Sequence, residues 1–432
     1  MSSLPTGRSL QPGVPLFLRR FITPLMWHTT VLFAINMVTN GLDYVFHFYL
    51  GWTLLPADFA IVQTVNSALL IVITVFGMMQ PVVARFVATS NEEQQARSLF
   101  QTFFWQSSTL GLGLTVLTLV VHPWVGQWLN VPPAAIIAVA GMAWLSLTRP
   151  VVAGMLQAQE RFAAFGWTRA LFALVRLGLV ALLFRLGLKQ ANVALLTLPV
   201  AALVSLLAGL GVLGRSVWQK APRLSPKVAW DGWRLSLGAL VATSAFMFLQ
   251  SIDVIWVNRT FSPDDAAAFA SIVLFRRLLA VLPTAVVVIM YPRAAALVAQ
   301  GQSPGRLLWL TALVVTLPTL FLTLLYFVGG EWLVAVSFAG KYPQAAPLLG
   351  WMGLTMLGYG LVTMWLNFFL ATRPLVYVIL LVVAAAGQTL LLVLWGTTLS
   401  YVVAIFGLGG LFLALAGFVV YRYAPLTRPH NT

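Results

Sequence analysis

The stretch AFGWTRALFALVRLGLVALLFRL, residues 164–186, decides the fold. At 1.5 Å of helical rise per residue it is long enough to cross a hydrocarbon core of about 30 Å. Arg176 nevertheless stands 13 residues into it, about 20 Å along the axis and so near the midplane. An ionised side chain at that depth costs at least about 2.5–3.5 kcal/mol unless it faces a wet cavity or a partner. The stretch therefore reads as a membrane span bordering an internal site for something negatively charged. Arg149, Arg169, Arg276 and Arg277 also lie in or against apolar runs.

The composition outside this stretch agrees. The 432 residues are 60% hydrophobic and only 8% charged, with a mean hydropathy of +0.93, which excludes a soluble globule of ordinary surface. Twelve segments, roughly 22–50, 57–84, 99–121, 133–156, 164–186, 191–213, 235–257, 265–290, 307–328, 346–370, 374–395 and 400–421, are apolar enough to span. Their length favours helices over the short alternating strands of a barrel, so an all-α integral membrane protein is expected.

Of the 25 Lys and Arg, 16 fall on one side of this twelve-span scheme, four (Arg185, Lys189, Arg259, Lys341) on the other, and five are the embedded arginines. The positive-inside rule then places both termini in the cytoplasm, in a multi-pass protein of the cell's inner, cytoplasmic membrane. The net charge of +15 is mostly this topology signal plus the site, so nucleic-acid binding is not implied. The first apolar run is long enough to span and has no small-residue cleavage site, so no cleavable signal peptide is expected. Zero cysteines rule out disulfides and thiolate metal sites.

The chain repeats itself. MQPVVARFVA from Met79 matches MYPRAAALVA from Met290, and PADFA from Pro56 matches PDDAA from Pro263. Asp43 and Asp253 precede the respective Met-x-Pro elements by similar intervals. Two six-helix lobes, residues 1–218 and 219–432, joined by a basic cytoplasmic linker about 215–234, are the economical reading. An even number of spans per lobe makes the repeats parallel, with a substrate path between them.

The segments LGWTLLPADFAIVQT after Asp43, MLQAQERF from Met155, SIDVIWVNRTFSPDDAAAFASIV from Ser251 and FAGKYPQAAPLL from Phe338 resemble polysaccharide transporters, the O-antigen or lipid-linked oligosaccharide flippases of the multidrug/oligosaccharidyl-lipid/polysaccharide superfamily. The resemblance implies a V-shaped, two-lobed carrier that turns a lipid-linked oligosaccharide across the bilayer by alternating access. It also implies contact with membrane lipids and with glycosyltransferases or a polymerase of the same pathway. The lipid II flippase branch shares the fold but usually carries more spans, which favours a surface glycan over a peptidoglycan precursor.

In the first helix, Thr29, Asn36, Asn40, Asp43 and His47 are spaced 7, 4, 3 and 4 apart and share one stripe. Thr243, Gln250 and Asp253 repeat the device more weakly. These groups read either as cavity polar residues, with the two aspartates and His47 candidates for coupling, or as interhelical hydrogen bonds. Arg149, Arg169, Arg176, Arg276 and Arg277 form the candidate cationic track, because guanidinium forks hold phosphate oxygens bidentately. Arg149 and Arg169 can alternatively reach cytoplasmic headgroups. Arg276 and Arg277 point about 100° apart, and Arg276 is the slightly favoured cavity residue.

No cofactor and no catalytic residue is expected. Gly340-Lys341 is followed by Tyr342, so no phosphate-binding loop is present, and His28, His47, His122 and His430 have no metal-ligand spacing. A multidrug or cation antiporter of the same superfamily should line its cavity with acidic residues instead. A membrane glycan polymerase or ligase should carry a large outer loop, whereas the longest one expected, about 329–345, holds only Glu331 and Lys341 as charges.

Overall fold

The computed structural model describes residues 24–90, 92–221, 227–372 and 375–423. Arg8, Arg19, Arg20, Arg223, Arg373, Arg428 and His430 lie outside them, as do the side chains of His28 and Thr29. The described chain is helical, without strands. Its twelve long elements are α1 (Pro24–Thr53), α2 (Pro56–Gly77, resumed at Met79–Ala88), α3 (Glu93–Leu129), α4 (Pro133–Val139, resumed at Met142–Ala158), α5 (Phe162–Arg185) and α6 (Ala191–Leu213). They continue as α7 (Lys227–Leu249, resumed at Ile252–Thr260), α8 (Pro263–Ala299), α9 (Gly305–Phe338), α10 (Ala346–Thr372), α11 (Leu375–Trp395) and α12 (Leu399–Tyr423). Ten candidate membrane spans cover all of these but α1 and α8. The latter two, of 30 and 37 residues, rise about 45 and 55 Å and are also long enough.

Local chemistry explains the starts. Pro56, Pro133 and Pro263 occupy the first turns of their helices, where the missing N–H costs nothing. Ser262 caps α8 by accepting from the Asp265 amide at 3.2 Å, satisfying one orphan donor. The apolar runs underestimate three helices, because helical hydrogen bonding continues past the membrane boundary: α3 and α9 extend to 37 and 34 residues, and α8 to Ala299. One consequence is a correction. Residues 329–338 belong to α9, so the expected long outer loop shrinks to residues 339–345, where Ala339 turns the chain at φ 51°.

The internal repeat is visible in the packing. Within the first six helices α1 packs on α5, α5 on α6, α6 on α4, and α4 on both α2 and α3. The same pattern recurs six helices later, with α7 on α11, α11 on α12, α12 on α10, and α10 on both α8 and α9. The two lobes meet chiefly where α2 lies against α7 and α8. Pro56 and Pro263 open the equivalent helices α2 and α8, and the two Met-x-Pro segments close them, so the short repeats of the sequence fall on structurally matched ends.

Flank helices α3 and α9 present apolar faces outward. Trp105 and Trp128 on α3, and Trp309 and Trp332 on α9, are exposed. Each pair is 23 residues apart, about 35 Å of helix, which suits aromatic belts at the two membrane interfaces. Inside the lobes, small residues allow close crossing. A Cβ at Gly358 on α10 would lie 2.8 Å from the carbonyl carbon of Gly410 on α12, so backbone would have to move. Gly358→Ala is expected to cost about 1–3 kcal/mol and to lower the thermal unfolding midpoint in detergent. An unchanged midpoint would show that this crossing is looser than the geometry indicates.

Candidate functional site

A cavity of about 470 Å³ lies mainly within the first lobe and reaches α8 of the second. Its walls are built by helical periodicity. Arg169 and Arg176, seven residues apart, share one face of α5, and Asn40 and Asp43 come from α1. Arg149 comes from α4 and Arg277 from α8. Asn66, Ser146, Thr168 and Ser205 add polar groups.

Arg176 is the deepest anchor. Its Nη1 donates to Asp43 Oδ1 at 2.6 Å, and its guanidinium carbon lies 3.6 Å from the centroid of the Phe46 ring. Nε and Nη2 of Arg176 are buried without a hydrogen-bond partner. The Asp43 side chain is 47% exposed and that of Arg176 only 4%, so the carboxylate stands on the wet side of the pair. His47 is buried behind it. Gln63 Nε2 donates to His47 Nδ1 at 2.9 Å, and His47 Nε2 is 3.7 Å from Asp43 Oδ2.

The other cavity arginines have neutral partners. Arg149 donates from Nη2 to Ser205 Oγ at 3.3 Å and sits over Phe172, 4.6 Å from its centroid. Arg169 lies over Phe165 at 5.9 Å, and Arg277 donates to Ser67 Oγ at 3.1 Å. Among the described residues, Arg149, Arg169 and Arg277 have no carboxylate within salt-bridge distance.

Arg276 reverses the sequence expectation. It pairs with Asp253 in the core of the second lobe, donates from Nη2 to the Gln250 carbonyl at 2.7 Å, and lies 4.3 Å from the centroid of Phe406. Asp253 Oδ1 also accepts from the Val254 amide at 2.9 Å. Neither Arg276, Asp253 nor Gln250 lines the cavity; Arg277 does. Adjacent residues diverge by about 100° on a helix, and α8 runs along the lobe boundary, so one arginine serves each side. Asn36 and His47 also lie outside the cavity lining, the histidine because it is buried against Gln63.

Sequence reasoning missed Asn66, Ser146, Thr168 and Ser205. A signal existed for the first, because Gln63, Thr64, Asn66 and Ser67 interrupt an apolar helix within five residues. Ser146 and Thr168 lie close in sequence to Arg149 and Arg169, which was a signal for them too, whereas Ser205 is isolated among apolar neighbours and carries no pattern. No group of three or more metal-ligating side chains occurs among the described residues.

One end of the lobe boundary is locked. Asn258 Nδ2 donates to the carbonyls of Leu129 at 2.9 Å and Asn130 at 3.1 Å, and Asn130 Nδ2 returns a bond to the Asn258 carbonyl at 2.9 Å. Arg259 donates to the Trp128 carbonyl at 2.5 Å. Lys341 caps the end of α1 through the carbonyls of Gly51 at 3.4 Å, Leu54 at 3.2 Å and Trp52. Phe59 stacks on Tyr342, with ring centroids 5.7 Å apart. The cavity extends away from this lock, towards Gly77, Gln80, Phe165 and Gly209 at the opposite helix ends.

The architecture has known counterparts. An inward closed structure of the lipid II flippase MurJ superposes with a TM-score of 0.74 at 9% identity, covering 91% of this chain and 88% of that one. An inward-facing multidrug resistance MATE transporter of the MOP superfamily gives 0.72 at 15% identity, covering 91% and 97%. An outward-facing MATE transporter gives 0.60 at 17% identity, covering 91% and 94%. These likenesses establish the fold. No curated protein matches the sequence. Residues 25–275 match the family described as polysaccharide biosynthesis protein. That match spans more than half the chain, including α1 to α7, all but Arg276 and Arg277 of the embedded arginines on complete helices, and both aspartates, so the chain belongs to the polysaccharide biosynthesis protein family.

Proposed function

We propose that the protein is a flippase that moves an anionic lipid-linked oligosaccharide, of polyprenyl-diphosphate type, from the cytoplasmic to the outer leaflet by alternating access. The observation that carries this reading is the charge of the cavity. Four guanidiniums face one carboxylate, and that carboxylate is already held by Arg176. Unpaired guanidiniums in a low-dielectric cleft favour an anion, and their forks match phosphate oxygens. A cation antiporter would need the opposite balance.

The reading places both termini in the cytoplasm and the locked end outside, so the cavity faces inward in this conformation. The lobes, residues 1–218 and 219–432, rock about their shared boundary. Glycosyltransferases or a polymerase act before and after the translocation, and the lipid tail stays among membrane lipids. Orientation is checked by single cysteines at Gln94 and Gln127, near opposite ends of α3. Gln94→Cys should react only with permeant reagents and Gln127→Cys from outside; the reverse pattern would invert the whole assignment.

The function itself is tested in vesicles holding the purified protein and a polyprenyl-diphosphate-linked disaccharide. Transfer between leaflets is read by the sugar's exposure to an impermeant glycosidase. Vesicles with the protein should equilibrate the lipid many times faster than empty ones. Equal rates would remove the flippase reading.

A further inference from the structure

The four cavity guanidiniums fall into two pairs. Arg176 donates to Asp43, and Arg277 joins them in the cavity wall from α8. Arg149 and Arg169 line the cavity together, each over a phenylalanine ring, and have no acidic partner among the described residues. Arg169 precedes Arg176 by seven residues on α5, about 10 Å of rise. The two are anchored in opposite directions, Arg169 over Phe165 and Arg176 over Phe46. Anchors held apart in this way suit two anionic groups better than a single diphosphate.

Resting on the flippase reading above, we infer that the cavity holds two anion subsites, one for the diphosphate at Arg176 and Arg277 and one for a carboxylate of an acidic sugar at Arg149 and Arg169. The diphosphate belongs beside Arg277 because α8 comes from the other lobe. The lipid tail must remain in the bilayer, and the boundary between lobes is the seam through which a tethered headgroup can enter. From there the saccharide extends towards Arg149 and Arg169, on the side of the cavity lined by Phe165 and Gly209.

Two features make that second subsite a place for an anion and not for a neutral ring. One face of Phe165 and one of Phe172 are taken by the guanidiniums of Arg169 and Arg149, which leaves less aromatic surface there for sugar stacking. Two like charges in a partly desolvated wall also repel until a counter-charge arrives. A diphosphate diester brings one negative charge per phosphorus. With Asp43 counted, that leaves one cavity positive charge unmatched, and a uronic-acid-type carboxylate balances it.

The test compares two polyprenyl-diphosphate disaccharides that differ only in glucose or glucuronic acid at the second sugar, using the full-length protein in vesicles. The wild type should show a half-saturating concentration about tenfold lower for the glucuronate lipid, the scale of one added charge-assisted hydrogen-bond pair. The Arg149→Gln, Arg169→Gln double variant should weaken the glucuronate lipid about tenfold more than the glucose lipid and so erase the preference. The corresponding Lys variants should restore part of it. A wild type that treats both lipids alike would overturn the acidic-sugar subsite while leaving the flippase reading intact, and so would equal losses for both lipids in the double variant. A wild type that moves neither lipid would overturn both readings. The wild-type comparison needs no substitution, so poor folding of a variant cannot obscure the answer.

Discussion

Arg176→Gln and Arg277→Gln, made singly, are each expected to slow translocation of a diphosphate-linked saccharide about 10- to 100-fold, the loss corresponding to a charge-assisted hydrogen bond of about 1.5–3 kcal/mol. Protein abundance and thermal stability should stay near the wild type. The geometry sets both halves of this expectation. Arg176 keeps two donor nitrogens buried and unpaired, and Arg277 bonds only Ser67 Oγ among the described residues, so each has hydrogen-bonding capacity left for a ligand. Removing the Arg176 charge leaves Asp43 without its strong partner, but that carboxylate is half-exposed to the cavity and water can solvate it. Arg→Lys at either position should recover part of the rate, because a point charge attracts phosphate without fixing its geometry. Translocation in vesicles, measured beside expression level, separates the outcomes. Unimpaired transport by the Arg176→Gln, Arg277→Gln double variant would sink the anionic-lipid reading.

The second large effect belongs to the buried pair in the other lobe. Arg276 and Asp253 are 2% and 0% exposed, so removing one partner strands a charge in the core. Arg276→Met or Asp253→Leu alone should cost about 3–5 kcal/mol, seen as aggregation or a sharply lower unfolding midpoint. The double variant Asp253→Leu, Arg276→Met removes both charges with similar volumes and should recover most of that stability, since apolar replacements of buried pairs are often neutral or favourable. Stable but inactive Arg276 variants would contradict a structural role and place this side chain in contact with substrate.

The contrast between these two arginines marks how far sequence could reach. Arg176, Arg276 and Arg277 look alike in the sequence, being guanidiniums deep in apolar runs, and the slight preference for Arg276 over Arg277 as the cavity residue fell on the wrong one. Asp43 and Asp253 likewise occupy matching places in the repeat. In the fold, Asp43 meets an arginine of α5 beside open space, whereas Asp253 meets an arginine of α8 in a packed core. The repeat preserves the aspartates but not the helix that answers them. Period-based reasoning therefore identified the polar stripe of α1 yet could not separate Asn40 and Asp43, which line the cavity, from His47, which Gln63 draws inward.

Taken alone, the sequence determined the membrane class, an all-helical fold of about twelve long helices and the presence of internal cations, because each follows from local quantities: hydropathy over a span, helical spacing and the cost of burying charge. Only the tertiary structure decided which cations share a cavity, which are neutralised in a core, and which end of the lobe boundary is locked. Those outcomes depend on contacts between helices far apart in the chain, such as Asp43 with Arg176, Asn130 with Asn258 and Lys341 with the end of α1, and the direction in which a neighbouring helix turns its side chains is set by packing across the whole bundle.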